Sequence, residues 1–175
     1  MRRGRLIGHA LARAAAVAVL GGLLVGLPAC GFHLRGAGGL PEAFSSTQVT
    51  GIAPRSNLAL ALAQGLEANG AKVVDDAENA HAVLRIEKVS YSNRILSVDT
   101  SARVLEYELA VTVAFSAHAR DGSFELPTQR ITSTRSLSYD PANQLGKTRE
   151  EERLREAMER ELVPVILERL RAAGG

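Results

Sequence analysis

Over residues 107–120 the chain keeps a period of two. Tyr107, Leu109, Val111, Val113, Phe115, Ala117 and Ala119 hold alternate positions, with Glu108, Thr112, Ser116, His118 and Arg120 between them. Strict alternation describes a strand with one dry face and one wet face, which is the antiparallel case. Any fold for this chain must therefore supply a cover for one side of a sheet. Asp121-Gly122 follows at once, a pair whose residues tolerate the positive φ of a tight hairpin. The return strand over 123–139 is polar and carries Pro127, Arg130 and Arg135, as suits a sheet edge.

The cover comes from two amphipathic helices. Ser56 is placed to cap the first, in which Leu58, Leu62 and Leu66 recur every four residues beside Ala59 and Ala63; Asn69-Gly70 stops it. The second carries a stripe of Leu154, Met158, Leu162, Val165, Ile166 and Leu170. Thr148 and Glu151 predict a capping box at its start, Glu151–Arg155 and Glu156–Arg160 predict pairs on its wet side, and Pro164 predicts a kink. A short strand is expected over 47–52 and a longer one from Ala82. In the latter, Leu84 and Ile86 fall out of phase with Val89 and Tyr91, so a bulge is expected near Glu87-Lys88. The order is strand, helix, three strands, helix. It predicts an α+β fold: one two-layer sandwich with a sheet of about four mostly antiparallel strands and both helices on one face.

The ends of the chain follow different rules. Residues 1–29 hold Arg2, Arg3, Arg5 and Arg13 with no acidic residue, then an apolar run over 14–27. That is the architecture of a secretory signal peptide, too short for a comfortable membrane span. The overall charge of +2 and the pI near 9.0 belong to this leader. Once its four arginines are set aside, 17 basic residues face 19 acidic ones, which argues against a nucleic-acid partner. Leu27-Pro28-Ala29-Cys30 resembles the lipobox of bacterial lipoproteins, with Cys30 as the acceptor of an S-diacylglycerol and, after cleavage, of an N-acyl chain such as palmitate. A thiolate is the nucleophile such a transfer needs, and a lone cysteine in an exported chain has no internal disulfide partner. Two or more acyl chains anchor stably where one is marginal. Gly31 stands where many inner-membrane lipoproteins carry Asp, which points to the outer membrane. The expected division is a signal peptide over 1–29, an acylated cysteine and Gly/Pro-rich tether over 30–46, and a domain over 47–173.

No catalytic or metal-binding pattern stands out. Beyond the leader the histidines are His33, His81 and His118, without paired cysteines or a His-x-x-Glu-His spacing, and there is no Gly-x-Ser-x-Gly elbow. Asp75, Asp76 and Glu78 lack the alternation of a calcium loop, and the glycines of "RGAGGLPEA" are followed by Pro41 with no strand before them. The expectation is a protein that is not an enzyme and holds no metal or cofactor beyond the lipid on Cys30.

Four stretches carry a family resemblance: "CGFHLRG" at 30–36, "LRIEKVS" at 84–90, "EYEL" at 106–109 and "SYDPANQLGK" at 138–147. Together they make the chain similar to the LPS-assembly lipoprotein family LptE (RlpB) of Gram-negative bacteria, from about Cys30 to Leu170. The resemblance implies a lipid-anchored protein of the cell outer membrane that faces the periplasm and sits largely inside the LptD β-barrel. There it would aid barrel assembly and act as a plug that binds lipopolysaccharide (LPS) on its way to the outer leaflet. The alternative is a free-standing lipid- or ligand-binding lipoprotein with no barrel partner. LPS offers phosphates beside acyl chains, so its binder needs cations near apolar groups. Arg94 and Arg103, near Ile95, Leu96 and Val98, meet that need, as does Lys147 before the last helix; the alternative is that all three are ordinary solvated surface charges. All three are expected at one end of the domain.

Overall fold

A computed structural model describes residues 39–139 and 144–173. Cys30 and the leader lie outside the described residues. The chain enters through a 3-10 turn, Glu42–Phe44, and then forms β1 (Ser46–Thr50), α1 (Asn57–Ala68), β2 (Lys72–Val73), a second 3-10 turn, β3 (Ala82–Val98), β4 (Val104–Ala119), β5 (Glu125–Ser138) and α2 (Gln144–Ala173). The sheet order is β2-β1-β3-β4-β5. β1 runs parallel to both neighbours, while β3, β4 and β5 form an antiparallel meander. The α+β sandwich stands as expected, with five strands rather than about four.

The fifth strand is β2, only two residues long. Its backbone decides the matter: the Lys72 amide donates to the Ser45 carbonyl and the Val74 amide to the Thr47 carbonyl. Core formation also begins earlier than the expected domain boundary at 47. Phe44 is fully buried and its ring lies 4.6 Å from that of Phe124. Thr47 is equally buried, and its hydroxyl donates to the Phe44 carbonyl, so this polar group enters the core satisfied.

One face of the sheet and both helices close a single core. β4 contributes Leu109, Val111, Val113, Phe115 and Ala117; α1 contributes Leu58, Leu62 and Leu66; α2 contributes Met158, Leu162, Ile166 and Leu170. β3 meets the unbroken alternation of β4 with a broken one. Ile86 pairs with Phe115, but the next register position joins Lys88 to Ala114, so Glu87 is the extra residue of a bulge. The bulge lets Leu84 and Ile86 below it, and Val89 and Tyr91 above it, all face the helices. Gly65 brings the helices together, since a Cβ there would stand 2.7 Å from Val163 Cγ1.

The last helix departs from expectation at its start. It begins at Gln144, so Thr148 and Glu151 lie inside it rather than at its start. It continues as one helix through Pro164. Both expected i,i+4 pairs are present, Arg155–Glu151 at 2.5 Å and Arg160–Glu156 at 3.9 Å.

β1 pairs with β3 only as far as Thr50 opposite Arg85. Beyond that point β1 no longer flanks the sheet; the first turn of α1 reaches Val89 and Tyr91, and the β3–β4 hairpin continues past them to the turn 99–103. Strands and helix together thus give the domain two unlike ends: a five-stranded end where the chain enters, and a narrow hairpin end.

Candidate functional site

The hairpin end carries the predicted cations, and the sheet's alternation decides where each one points. Arg94 stands opposite Glu108 and binds it with two guanidinium nitrogens, at 2.7 and 3.2 Å. That contact holds the Glu108 carboxyl below the usual carboxylate range and lifts the Arg94 guanidinium further. Tyr107, next to Glu108, faces the other way, toward α2. Lys147 sits in the first turns of α2, with its ammonium 4.0 Å from the Tyr107 ring centroid and 4.7 Å from that of Tyr139. The two rings meet edge to face at 5.5 Å. Arg103 ends the hairpin turn, where Asp99 accepts from the backbone amides of Ser101 and Arg103. The three cations therefore share one end of the domain without converging. Arg94 is neutralised on the open face, Lys147 is held between aromatic rings on the helix face, and Arg103 lies at the tip.

The apolar groups gather at the same end. Seven large apolar side chains are exposed among the described residues, and five of them (Tyr91, Ile95, Leu96, Val98 and Leu105) belong to the upper hairpin. Such a concentration marks a contact surface, whereas scattered exposed apolar residues need no explanation. The opposite side of the hairpin is small and polar, with Ser90, Thr112 and Thr132 aligned across three strands.

A cavity of about 620 Å³ opens at the chain-entry end between Ser45, His81, Arg120 and Asp121. Ser45 Oγ lies 2.8 Å from His81 Nδ1. Asp121 takes the backbone amide of Ser123, a contact that holds its carboxyl below the ordinary range. Residue types of a catalytic triad are thus near each other, but the serine occupies the ring nitrogen that an orienting aspartate would need. Among the described residues no group of His, Cys, Asp or Glu is placed to hold a metal ion, and no helix is long and apolar enough to cross a membrane.

Sequence reasoning missed Glu159. It lies on the α2 face read as solvated, yet it is only 6 % exposed. The Tyr91 hydroxyl donates to its Oε1 at 2.5 Å. Partial burial, followed by this hydrogen bond and the carboxylate's charge, pushes the Tyr91 phenol up to about 12. The folded chain therefore holds this proton more tightly than the unfolded one. The resulting stability is present below pH 10 and is lost as pH rises toward 12. Following the Tyr91 ring carbon by NMR across that range should place its midpoint near 12, and Glu159→Gln should lower it. A Tyr91 midpoint that Glu159→Gln does not move would remove the carboxylate from this contact.

The similarity to known proteins is extensive. The model of the family LptE, Lipopolysaccharide-assembly, matches residues 44–170. The LPS-assembly lipoprotein LptE of Photorhabdus laumondii is 30% identical over 142 residues, spanning 79% of this chain and 77% of that protein. The rare lipoprotein B of Shewanella oneidensis has a crystal structure that superposes with a TM-score of 0.61 at 28% identity, covering 70% of this chain and 91% of that one. Lipoprotein B of Nitrosomonas europaea gives a TM-score of 0.63 at 32% identity, over 81% and 91% of the two chains. The family match begins at the buried Phe44 and ends at Leu170, the last core residue of α2, so it takes in the whole sandwich; this chain belongs to the LptE family of lipopolysaccharide-assembly lipoproteins.

Proposed function

We propose that this chain is the lipoprotein partner of the LptD β-barrel in the outer membrane, anchored through Cys30, and that its hairpin end receives LPS. The observation that carries the reading is the concentration of exposed apolar side chains on the upper hairpin, beside Arg103 at the turn. LPS phosphates next to acyl chains match a cation next to Ile95, Leu96 and Val98. Arg103 is the first cation to meet them. Arg94 engages only by releasing Glu108, and Lys147 only by leaving its tyrosines. The polar outer face with its serines and threonines suits the water-filled lumen of a barrel. The role is binding and placement rather than catalysis.

Extraction of membranes in mild detergent and purification through this chain tests the partner. A large β-barrel should co-purify at fixed stoichiometry, and LPS should be retained. Elution of the chain without a barrel would favour the free-standing lipid-binding alternative. In the purified complex Arg103→Glu should weaken LPS binding by about tenfold, the worth of one charge-assisted hydrogen bond. LPS binding unchanged by that substitution would take Arg103 out of the contact.

A further inference from the structure

A second site lies where β1 ends. There a hollow of about 440 Å³ opens between the loop after β1, the first turn of α1, β3 and α2. Glu159 and Tyr91 line it from α2 and β3, with Arg55, Ser56 and Asn57 on the α1 side.

Glu159 is the unusual element. A carboxylate removed from water is costly unless a cation or several donors compensate it. This one receives the Tyr91 hydroxyl and forms no ion pair with any described residue. Arg155, one turn earlier on α2, is held by Glu151 at 2.5 Å, with its guanidinium carbon 5.4 Å from the Tyr91 ring centroid. The Tyr91 ring is 46 % exposed and already has the Arg155 guanidinium over it, so an ammonium reaching the carboxylate shares the ring with Arg155 or displaces it. A buried carboxylate and an aromatic face together are a socket for an ammonium group. The surrounding charges restrict what can carry that ammonium. Arg55 on the α1 side and Arg155 above disfavour a bare polycation, and the first turn of α1 adds the positive end of a helix dipole. A ligand bearing an anion next to its ammonium satisfies both sides.

We propose that this hollow binds an ammonium–phosphate zwitterion of the phosphoethanolamine type. Its ammonium sits on Glu159 and the Tyr91 ring, and its phosphate sits toward Arg55. The chemistry is shared by free O-phosphoethanolamine and by the headgroup of phosphatidylethanolamine. The site lies apart from Arg103 and the turn 99–103, sharing only Tyr91 with the exposed upper hairpin.

The test follows the Tyr91 ring by NMR in the full chain held in bicelles. O-phosphoethanolamine is added to one set, and phosphatidylethanolamine replaces phosphatidylglycerol in another. A saturable Tyr91 shift in either set supports the site and identifies the source. Ethanolamine alone and inorganic phosphate alone should each bind about tenfold more weakly or worse. Glu159→Gln should weaken binding by a similar factor, while Glu156→Gln, exposed on the same helix, should leave it unchanged. Arg55→Glu provides a second variant that leaves the core untouched and should also weaken binding. Absence of a saturable shift in both sets, equal binding of phosphate alone, or undiminished binding by both Glu159→Gln and Arg55→Glu would overturn the proposal.

Discussion

Gly51→Ala should cost this domain several kcal/mol and move its urea midpoint far below that of the wild type. Gly51 closes β1 with φ +85°, where an L residue is strained by about 1–2 kcal/mol. A Cβ there would also stand 2.0 Å from the Ile86 carbonyl oxygen and 3.0 Å from its carbon. Those are backbone atoms at the edge of the β3 bulge, so no side chain can swing aside. Relief requires moving either β1 or the bulge that aligns Ile86 and Val89 with the core. The expected total is about 3–5 kcal/mol, a large share of the 5–15 kcal/mol typical of a domain. Gly70 is the internal control: its φ is +86°, yet nothing lies within 4 Å of the Cβ it would gain. Gly70→Ala should therefore show the conformational cost alone, about 1 kcal/mol. Urea unfolding of both variants by circular dichroism separates the two effects. Equal shifts would mean that the bulge yields freely.

Cys30→Ser should abolish lipid attachment altogether. Serine lacks the nucleophilic thiolate, and residues 1–38 offer no second cysteine. Mass spectrometry should find no diacylglycerol on the variant, and fractionation should find it outside the outer membrane. The sandwich should fold regardless, because its core begins at Phe44 and its family match at the same residue. Acylated Cys30→Ser protein in the outer membrane would refute the anchor.

β4 was readable because one covered face imposes a period of two, and the β3 bulge was readable because its phase fails against that period. β2 was hidden: two residues carry no periodicity, and its existence rests on amides bonded to carbonyls of Ser45 and Thr47. Phe44 carries no core signal of its own, because its neighbours are Gly- and Pro-rich and its ring partner, Phe124, arrives from the distant hairpin. Capping chemistry at Thr148 points to a start one turn later than the one α2 has, at Gln144. Lys147, one residue before Thr148, is already engaged with Tyr107 and Tyr139. At the sites, Arg94, Arg103 and Lys147 were found by charge next to apolar residues, but which face each one takes depends on strand phase. Glu159 carries no local signal, because its hydrogen-bond partner, Tyr91, lies 68 residues away.

The length of β3 sets a reach. Seventeen residues of strand extend about 50 Å at the ordinary rise per residue, allowing for bulges and twist. The chain enters the domain at the foot of that strand, where the Leu40 amide meets the Asn69 carbonyl beyond the end of α1. The turn 99–103 stands at its other end. A bilayer with its headgroups measures about 40–45 Å. If the foot stands at the inner surface and the strand lies upright in a lumen, the tip comes level with the outer surface. A foot and a tip that far apart meet different surfaces of one membrane.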